Sequence, residues 1–158
     1  MIELKPVTIN NFCDVIETKI NKEQEQYIPD NIFLMAMSKI MPQCIPLAIY
    51  NDNIVVGFLM YGPDENKENY WIHIIMIGDK HQGKGYAIES FKKILSEIKK
   101  DKSVHKILLA VNKGNLNAIK IYEKFGFKFN GQRLDEKEWA VKIYQELLNE
   151  EYIMELIY

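Results

Sequence analysis

The chain has 158 residues, a net charge of −2 at pH 7, 47% hydrophobic residues and 27% charged residues. These values are typical of a globular protein, and the length predicts a single domain over 1–158 with one core. A chain so close to neutral is not drawn to nucleic acid or to anionic membranes by charge. Arg133 is the single arginine, which argues against arginine-forked recognition of DNA. We therefore expect neither nucleic acid nor a membrane as a partner.

The two cysteines and the three histidines indicate no metal site. Cys13 and Cys44 match no metal-binding spacing and make no disulfide framework, so we expect reduced thiols and no metal. The N-terminal residues lack a positive start followed by an apolar segment, and no apolar run approaches about 18 residues. The sequence therefore predicts a cytoplasmic protein.

The first 41 residues are predicted to form a strand and two helices. Residues 2–7 are strand-like, and Thr8 is the predicted N-cap of the helix that follows. Helical spacing predicts that this helix buries Phe12, Val15, Ile16 and Ile20. The second helix, over 31–41, is predicted to bury Ile32, Met35, Ala36 and Ile40.

The middle of the chain changes to strand patterns. Two strand-like runs, 47–50 and 54–61, are joined by a turn sequence at 51–53 and predict a hairpin. After a polar loop, the nearly continuous apolar run 70–77 is typical of a central strand that is covered on both faces.

The second half alternates helices and strands. We predict a helix over 86–100, a strand over 105–111, a helix over 115–125 and strands over 127–130 and 152–158. The segment 135–149 is ambiguous: its apolar pairs recur every four residues and favour a helix, although WAVKIY also alternates as a strand does. The order of elements predicts an α/β fold with one mixed sheet flanked by helices.

The segment HQGKGYAIESF (81–91) places two glycines between the predicted central strand and a helix. Ile88 stands where a dinucleotide fingerprint needs its third glycine, and Lys84 lies between the glycines rather than after them, as a P-loop requires. Free backbone N–H groups and the positive end of the helix could still bind a phosphate. Taken alone, such a loop is more often a simple turn.

A second motif follows the next predicted strand. Asn115, Ala118 and Tyr122 repeat at helical spacing and share one face, and Gly126 ends the helix. The small side chain of Ala118 leaves room for a ligand, and Tyr122 presents a hydroxyl group on the same side.

Together the two motifs resemble the GNAT N-acetyltransferase superfamily. Residues Gln82 to Ala87 match its acetyl-CoA motif, [RQ]-x-x-G-x-[GA], and Asn115 to Phe127 match its N-x-x-A-x-x-x-Y-x-x-x-G-F motif. The resemblance covers nearly the whole chain, with 132–149 the least typical part. It implies a mixed, mostly antiparallel sheet with a splayed central strand pair that binds acetyl-CoA.

The resemblance also implies the role of each matched residue. The CoA pyrophosphate would lie on the loop and helix start, formed by Gln82, Gly83, Lys84, Gly85, Tyr86, Ala87 and Ile88. The pantetheine arm would pair with the end of the fourth strand and also meet the second motif: Ile75, Met76, Ile77, Asn115 and Ala118.

The same resemblance implies the acid and the base. Tyr122 would be the general acid that protonates the CoA thiolate. Where members that acetylate polyamines often have a carboxylate on the fourth strand, this chain has His73. We predict His73 as the base near neutral pH, with water or another group as the alternative.

A closer resemblance, to bacterial spermine/spermidine acetyltransferases, rests on QEQYI (24–28), GFLMYG (57–62) and FGFKFNG (125–131). It implies an acidic acceptor cleft formed by the segment after the first helix: Glu23, Glu25, Tyr27 and Asp30. We predict acetyl transfer from acetyl-CoA to a primary amine, with a polyamine as the leading acceptor.

Other functions stay open. The acceptor could instead be a protein N-terminus, a lysine side chain or an amino sugar, or the chain could be an acetyl-CoA-binding module without catalysis. The intact Asn115 and Tyr122 weigh against the binding module. The apolar end YIMELIY could serve a homodimer.

Overall fold

Seven strands form one sheet in the computed structural model, which describes residues 1–144 and 150–158. The order across the sheet is β1-β2-β3-β4-β5-β7-β6. All neighbouring strands are antiparallel except β4 and β5, so the predicted mixed, mostly antiparallel sheet is confirmed. The strands are β1 (Ile2–Pro6), β2 (Ile45–Asn51), β3 (Ile54–Pro63), β4 (Tyr70–Ile77), β5 (Lys106–Asn112), β6 (Lys128–Arg133) and β7 (Glu151–Ile157).

Helices cover both faces of the sheet. They are α1 (Phe12–Glu17), α2 (Lys22–Glu25), α3 (Asn31–Ile40), α4 (Tyr86–Ile98), α5 (Leu116–Lys124) and α6 (Glu138–Tyr144), with 3-10 turns at Asp79–His81 and Leu134–Glu136. The helix favoured for 135–149 is confirmed over α6, and the rest of that prediction, 145–149, lies outside the described residues. None of the described helices is long and apolar enough to cross a membrane.

The sheet separates two hydrophobic clusters. One lies beneath α4 and α5 and is centred on Phe91, Ile94 and Phe127. The other lies beneath α1, α3 and α6 and includes Val15 and Leu34. Because β4 contributes alternate side chains to both clusters, its sequence shows no polar face, which explains the continuous apolar run.

The first helix differs from its prediction. It begins at Phe12 rather than after Thr8, and Thr8 is not its N-cap. Instead the Asn11 side chain accepts from the Thr8 N–H at 2.7 Å and donates to the Pro6 carbonyl at 3.1 Å. These two bonds stabilise a turn before the helix, so the helix starts one turn later than predicted.

The buried face of α3 was predicted wrongly. Its buried residues are Asn31, Leu34 and Met37, whereas Ile32 is 56% and Ile40 is 80% exposed. The apolar residues of α3 lie on all sides of the helix, so their spacing does not indicate which face is buried. The orientation is set by a tertiary contact: the Asn31 amide donates to the Val15 carbonyl at 2.9 Å and to the Thr18 carbonyl at 3.2 Å.

The central strands β4 and β5 separate along their length, as the predicted fold requires. They pair only where Tyr70–Ile72 faces Ile107–Leu109. In the β3–β4 ladder, Met60 faces Ile74 and the next residue, Tyr61, faces Ile72, so His73 is an extra residue in a bulge. Beyond this bulge β4 has no partner in β5, and the sheet opens beside the starts of α4 and α5.

Candidate active site

The opening between β4 and β5 holds a cavity of about 760 Å³. This volume is within the usual range for a small-molecule site. The cavity runs from the glycine loop before α4 to the side chains of α6 and the start of β7. Every residue predicted to contact the cofactor lines it, except Lys84, which is exposed; those that do are Ile75, Met76, Ile77, Gln82, Gly83, Gly85, Tyr86, Ala87, Ile88, Asn115, Ala118 and Tyr122.

The glycine loop leaves the start of α4 open. Gly83 and Gly85 have φ of +74° and +79°, a left-handed conformation that only glycine adopts without strain. No side chain caps the first turn of α4, and a Cβ at either glycine would meet no atom within 4 Å. Uncapped N–H groups, an open space and the positive end of a 13-residue helix fit the pyrophosphate of acetyl-CoA.

Gln82 ties this loop to two neighbouring elements. Its amide donates to the Gln24 side chain at 2.7 Å and to the Ile77 carbonyl at 2.8 Å. The first bond joins the loop to α2, and the second joins it to the end of β4. The side chain of Gln82 thereby fixes the loop against both the strand and the segment predicted to bind the acceptor.

Asn115 orients the second motif. It is the N-cap of α5, and its side-chain oxygen accepts from the Ala118 N–H at 3.2 Å. This cap sets the first turn of α5, from which Ala118 and then Tyr122 face the cavity. The helical spacing seen in the sequence is therefore the spacing of residues along one cavity wall.

Tyr122 occupies the inner wall of the cavity. Its ring centroid lies 5.3 Å from that of Phe91 and 6.3 Å from that of Phe127. Burial and, secondarily, the negative charge of Glu151 raise the pKa of Tyr122 to about 12. The phenol therefore stays protonated at neutral pH and is available as a proton donor.

His73 lies in the same cavity among aromatic residues. Its ring centroid is 6.4 Å from that of Trp71 and 6.0 Å from that of Trp139. Its Nε2 lies 3.3 Å from the Cys44 sulfur. Burial lowers the pKa of His73 to about 4 and raises the pKa of the Cys44 thiol to about 11. His73 is therefore neutral and a weak proton acceptor near pH 7, which counts against its predicted role as the base.

The segment predicted to bind the acceptor is only partly in the cavity. Glu25 and Tyr27 line it, but Glu23 and Asp30 do not. Asp30 is the N-cap of α3, accepting from the Ile32 N–H at 2.7 Å, and its carboxylate lies 3.7 Å from the Lys19 ammonium group. Of the four predicted residues, therefore, Glu25 and Tyr27 are the two that line the cavity.

Part of the cavity wall was not predicted from the sequence. Trp71, Trp139, Tyr144 and Glu151 all line the cavity, with the Trp71 and Trp139 rings edge-on at 5.4 Å and Trp139 and Tyr144 at 6.3 Å. The segment 132–149, the least typical part of the sequence, thus supplies a wall of the site through α6. The aromatic residues of α6 were a signal for a buried helix face, but nothing in the sequence marked Glu151.

The charged residues that line the cavity are all acidic. The described lining residues include two carboxylates, Glu25 and Glu151, and neither a lysine nor an arginine. Burial raises the pKa of Glu151 to about 7. Among residues 1–144 and 150–158, no group of three or more His, Cys, Asp or Glu side chains is placed to hold a metal ion.

A sheet that splays between its parallel strands, beside an uncapped helix start and a glycine loop, suits an extended ligand with a phosphate group, as acyl-CoA-binding transferases require. The sequence profile of the acetyltransferase (GNAT) family matches residues 14–127, and the chain belongs to this family. It is therefore an N-acetyltransferase with acetyl-CoA as the acetyl donor. The predictions of fold, enzyme class and co-substrate are confirmed.

The chain is similar both to a characterised sequence and to a solved structure of polyamine acetyltransferases. The spermine/spermidine N(1)-acetyltransferase of Bacillus subtilis (strain 168) is 28% identical over 137 residues, which cover 83% of this chain and 90% of the relative. The crystal structure of spermidine N-acetyltransferase from Vibrio cholerae in complex with CoA and spermine has a TM-score of 0.73 at 17% identity, covering 99% of this chain and 95% of that one.

A structure with a different acceptor is almost equally similar. The ribosomal-protein-S18-alanine N-acetyltransferase from Escherichia coli has a TM-score of 0.72 at 14% identity, covering 99% of this chain and 94% of that one. At such low identities the solved structures establish the fold. The acceptor has to be argued from the residues of this cavity.

Proposed function

We propose that the protein transfers the acetyl group of acetyl-CoA to a primary amine of a polyamine such as spermidine or spermine. The observation that carries this proposal is the charge of the cavity, which has two carboxylates and no lysine or arginine among its described lining residues. Such a site favours a polycation by electrostatic complementarity. The name of the Bacillus subtilis relative supports the same acceptor class.

In this proposal the donor lies along the opened strand. Its pyrophosphate accepts from backbone N–H groups between Gly83 and Ile88, and its pantetheine arm follows Ile75–Ile77 of β4. Tyr122, on the inner wall, donates its proton to the sulfur when the thiolate leaves. Because burial raises the pKa of Tyr122 to about 12, the phenol holds its proton near pH 7, and the donor form is present there.

The acceptor meets the other side of the cavity. Glu25 is the last residue of α2 and Tyr27 follows two residues later, and the rings of Trp71, Trp139 and Tyr144 form the wall on the α6 side. Aromatic faces attract ammonium groups by cation–π interaction, and a carboxylate adds Coulomb attraction. A long, flexible polyamine would satisfy both walls at once.

A panel of amines tests the acceptor directly. We expect thiol release from acetyl-CoA with spermine and spermidine at a kcat/KM at least about tenfold above that of a peptide N-terminus, a lysine peptide or an aminoglycoside, since only the polyamine offers several ammonium groups to the acidic cavity. A preference for the peptide or the amino sugar would replace the polyamine assignment. CoA binding without turnover of any amine would identify a binding module.

A matched pair of acidic residues tests the acceptor wall. Glu25→Gln should raise the KM for spermine by roughly 3- to 5-fold, which corresponds to at most about 1 kcal/mol of lost attraction at an exposed site. The KM for acetyl-CoA should not change. Glu23→Gln removes a carboxylate two residues away that does not line the cavity, and it should leave both KM values unchanged. Equal effects of the two variants would show that only the overall charge matters.

A further inference from the structure

Glu151 lies where the two proposed substrates would meet. It is the first residue of β7 and faces Asn112, the last residue of β5, across the sheet. At Asn112, β5 no longer pairs with β4. The Glu151 side chain therefore lines the cavity that opens between these two strands. The sheet register thus brings a carboxylate to the inner end of the opening.

The surroundings of Glu151 give its carboxylate no cation. Within the described residues neither a lysine nor an arginine forms a salt bridge with it, although the residue is half-buried. Two basic side chains close to the next residue of β7, Lys113 and Arg133, lie over the Tyr152 ring, 3.7 Å and 5.8 Å from its centroid. A buried carboxylate without a cation costs stability, and such groups are concentrated at functional sites.

Among the described residues, the two groups whose pKa is raised by the charge of Glu151 are phenols. Tyr122 on α5 and Tyr144 on α6 both have their pKa raised, first by burial and then by the charge of Glu151. On the β5 side the partner is the neutral amide Asn112. The carboxylate is therefore within electrostatic reach of the proposed acid and of the aromatic wall, where an ammonium group would complete its surroundings.

Resting on the proposed function, we infer that Glu151 is a catalytic residue: it binds the ammonium group of the acceptor and removes its proton, so that the free amine attacks the thioester. It thereby takes the role that the sequence predicted for His73.

The proton transfers balance. Glu151 takes one proton from the ammonium group and later releases it to solvent. The amine nitrogen forms a bond to the acetyl carbon, the carbon–sulfur bond breaks, and its electron pair stays on sulfur. Tyr122 protonates this thiolate. The acceptor nitrogen then loses its second proton to the Tyr122 phenolate, which restores the phenol. The products are the amide and CoA as a thiol, with one proton released.

The test is the pH dependence of Glu151→Gln against the wild-type enzyme, with spermine and acetyl-CoA. At pH 7 the variant should lose about 10²-fold or more in kcat/KM. Its rate should then rise with pH and approach that of the wild type near pH 10, because a primary amine with a pKa of about 10.4 loses its proton there without help. The wild type should instead show a rise in kcat/KM centred near pH 7, the pKa of Glu151.

A second readout does not depend on activity. Burial raises the pKa of Glu151 from its ordinary value to about 7, so the folded state holds this proton more tightly than the unfolded state does. The carboxylate therefore destabilises the fold above pH 7, and this cost disappears as the pH falls below about 4.5. Glu151→Gln should raise Tm at pH 8 and leave it nearly unchanged at pH 4.5, with the Kd for acetyl-CoA unaffected.

Glu155→Gln is the matched control, since Glu155 lies on the same strand, outside the cavity, and pairs with Lys106 at 3.4 Å. It should keep the wild-type pH profile. If Glu151→Gln keeps wild-type activity, or loses the same factor at every pH, Glu151 is not the base, although the polyamine assignment stands. A wild-type enzyme that acetylates no amine would overturn the proposed function, and this inference with it.

Discussion

Tyr122→Phe should lower kcat by about 10²- to 10⁴-fold, the usual contribution of a general acid. The substitution removes only the hydroxyl group, and the ring contacts with Phe91 and Phe127 at 5.3 Å and 6.3 Å remain. The loss should therefore appear in kcat, while the Kd for acetyl-CoA and the Tm stay close to those of the wild type. Single-turnover measurements of thiol release separate this chemical step from product release.

The control for this variant is Tyr61→Phe. Tyr61 also packs against the hydrophobic core beneath α4, but it does not line the cavity. Its loss of a hydroxyl group should leave kcat unchanged. A Tyr122→Phe enzyme within about threefold of wild-type kcat would mean that water or another group protonates the thiolate.

Gly57→Ala should strongly destabilise the fold, although it adds only one methyl group. Gly57 of β3 faces Ile77 of β4, and a Cβ on it would lie 2.2 Å from the Met76 carbonyl oxygen. That oxygen belongs to the central strand and cannot move alone, so the β3–β4 pair has to shift. We expect a loss of about 3 kcal/mol in the free energy of unfolding, which lowers Tm by about 6–12 °C in a domain of this size.

The Gly57→Ala variant should also affect the co-substrate, because Met76 and Ile77 lie on the strand proposed to hold the pantetheine arm. Its KM for acetyl-CoA should rise. Gly131→Ala is the matched control: the residue has φ of +85° and open space around it, so the new methyl group adds backbone strain of about 1 kcal/mol without a clash. Calorimetry on both variants compares the stability cost of the steric clash at Gly57 with the cost of backbone strain at Gly131.

Local patterns were sufficient for much of the fold and for the donor half of the site. The boundaries of β4 were predicted to the residue, and the loop at Gly83 and Gly85 and the spacing from Asn115 to Tyr122 all line one cavity. These features depend on backbone conformation and on the helical repeat, which are set by residues a few positions apart. Contacts within a short segment are readable in its sequence.

The acceptor half depended on contacts between distant segments. Asp30 looked like an acidic cleft residue but is the N-cap of α3, and the face that α3 buries is chosen by the bonds of Asn31 to a different segment. His73 has the expected position on the fourth strand, but burial among Trp71 and Trp139 lowers its pKa. The residues next to His73 in the sequence do not indicate that its side chain is buried.

By itself, the sequence determined an α/β acetyltransferase that uses acetyl-CoA, with the glycine loop and the helix of Tyr122 as its predicted binding elements. Only the tertiary structure decided which carboxylates line the cavity, because the pairing of β5 with β7 brings Glu151 next to Asn112, 39 positions away in the chain. The effect of a carboxylate depends on its depth and its neighbours, and both are properties of the folded chain.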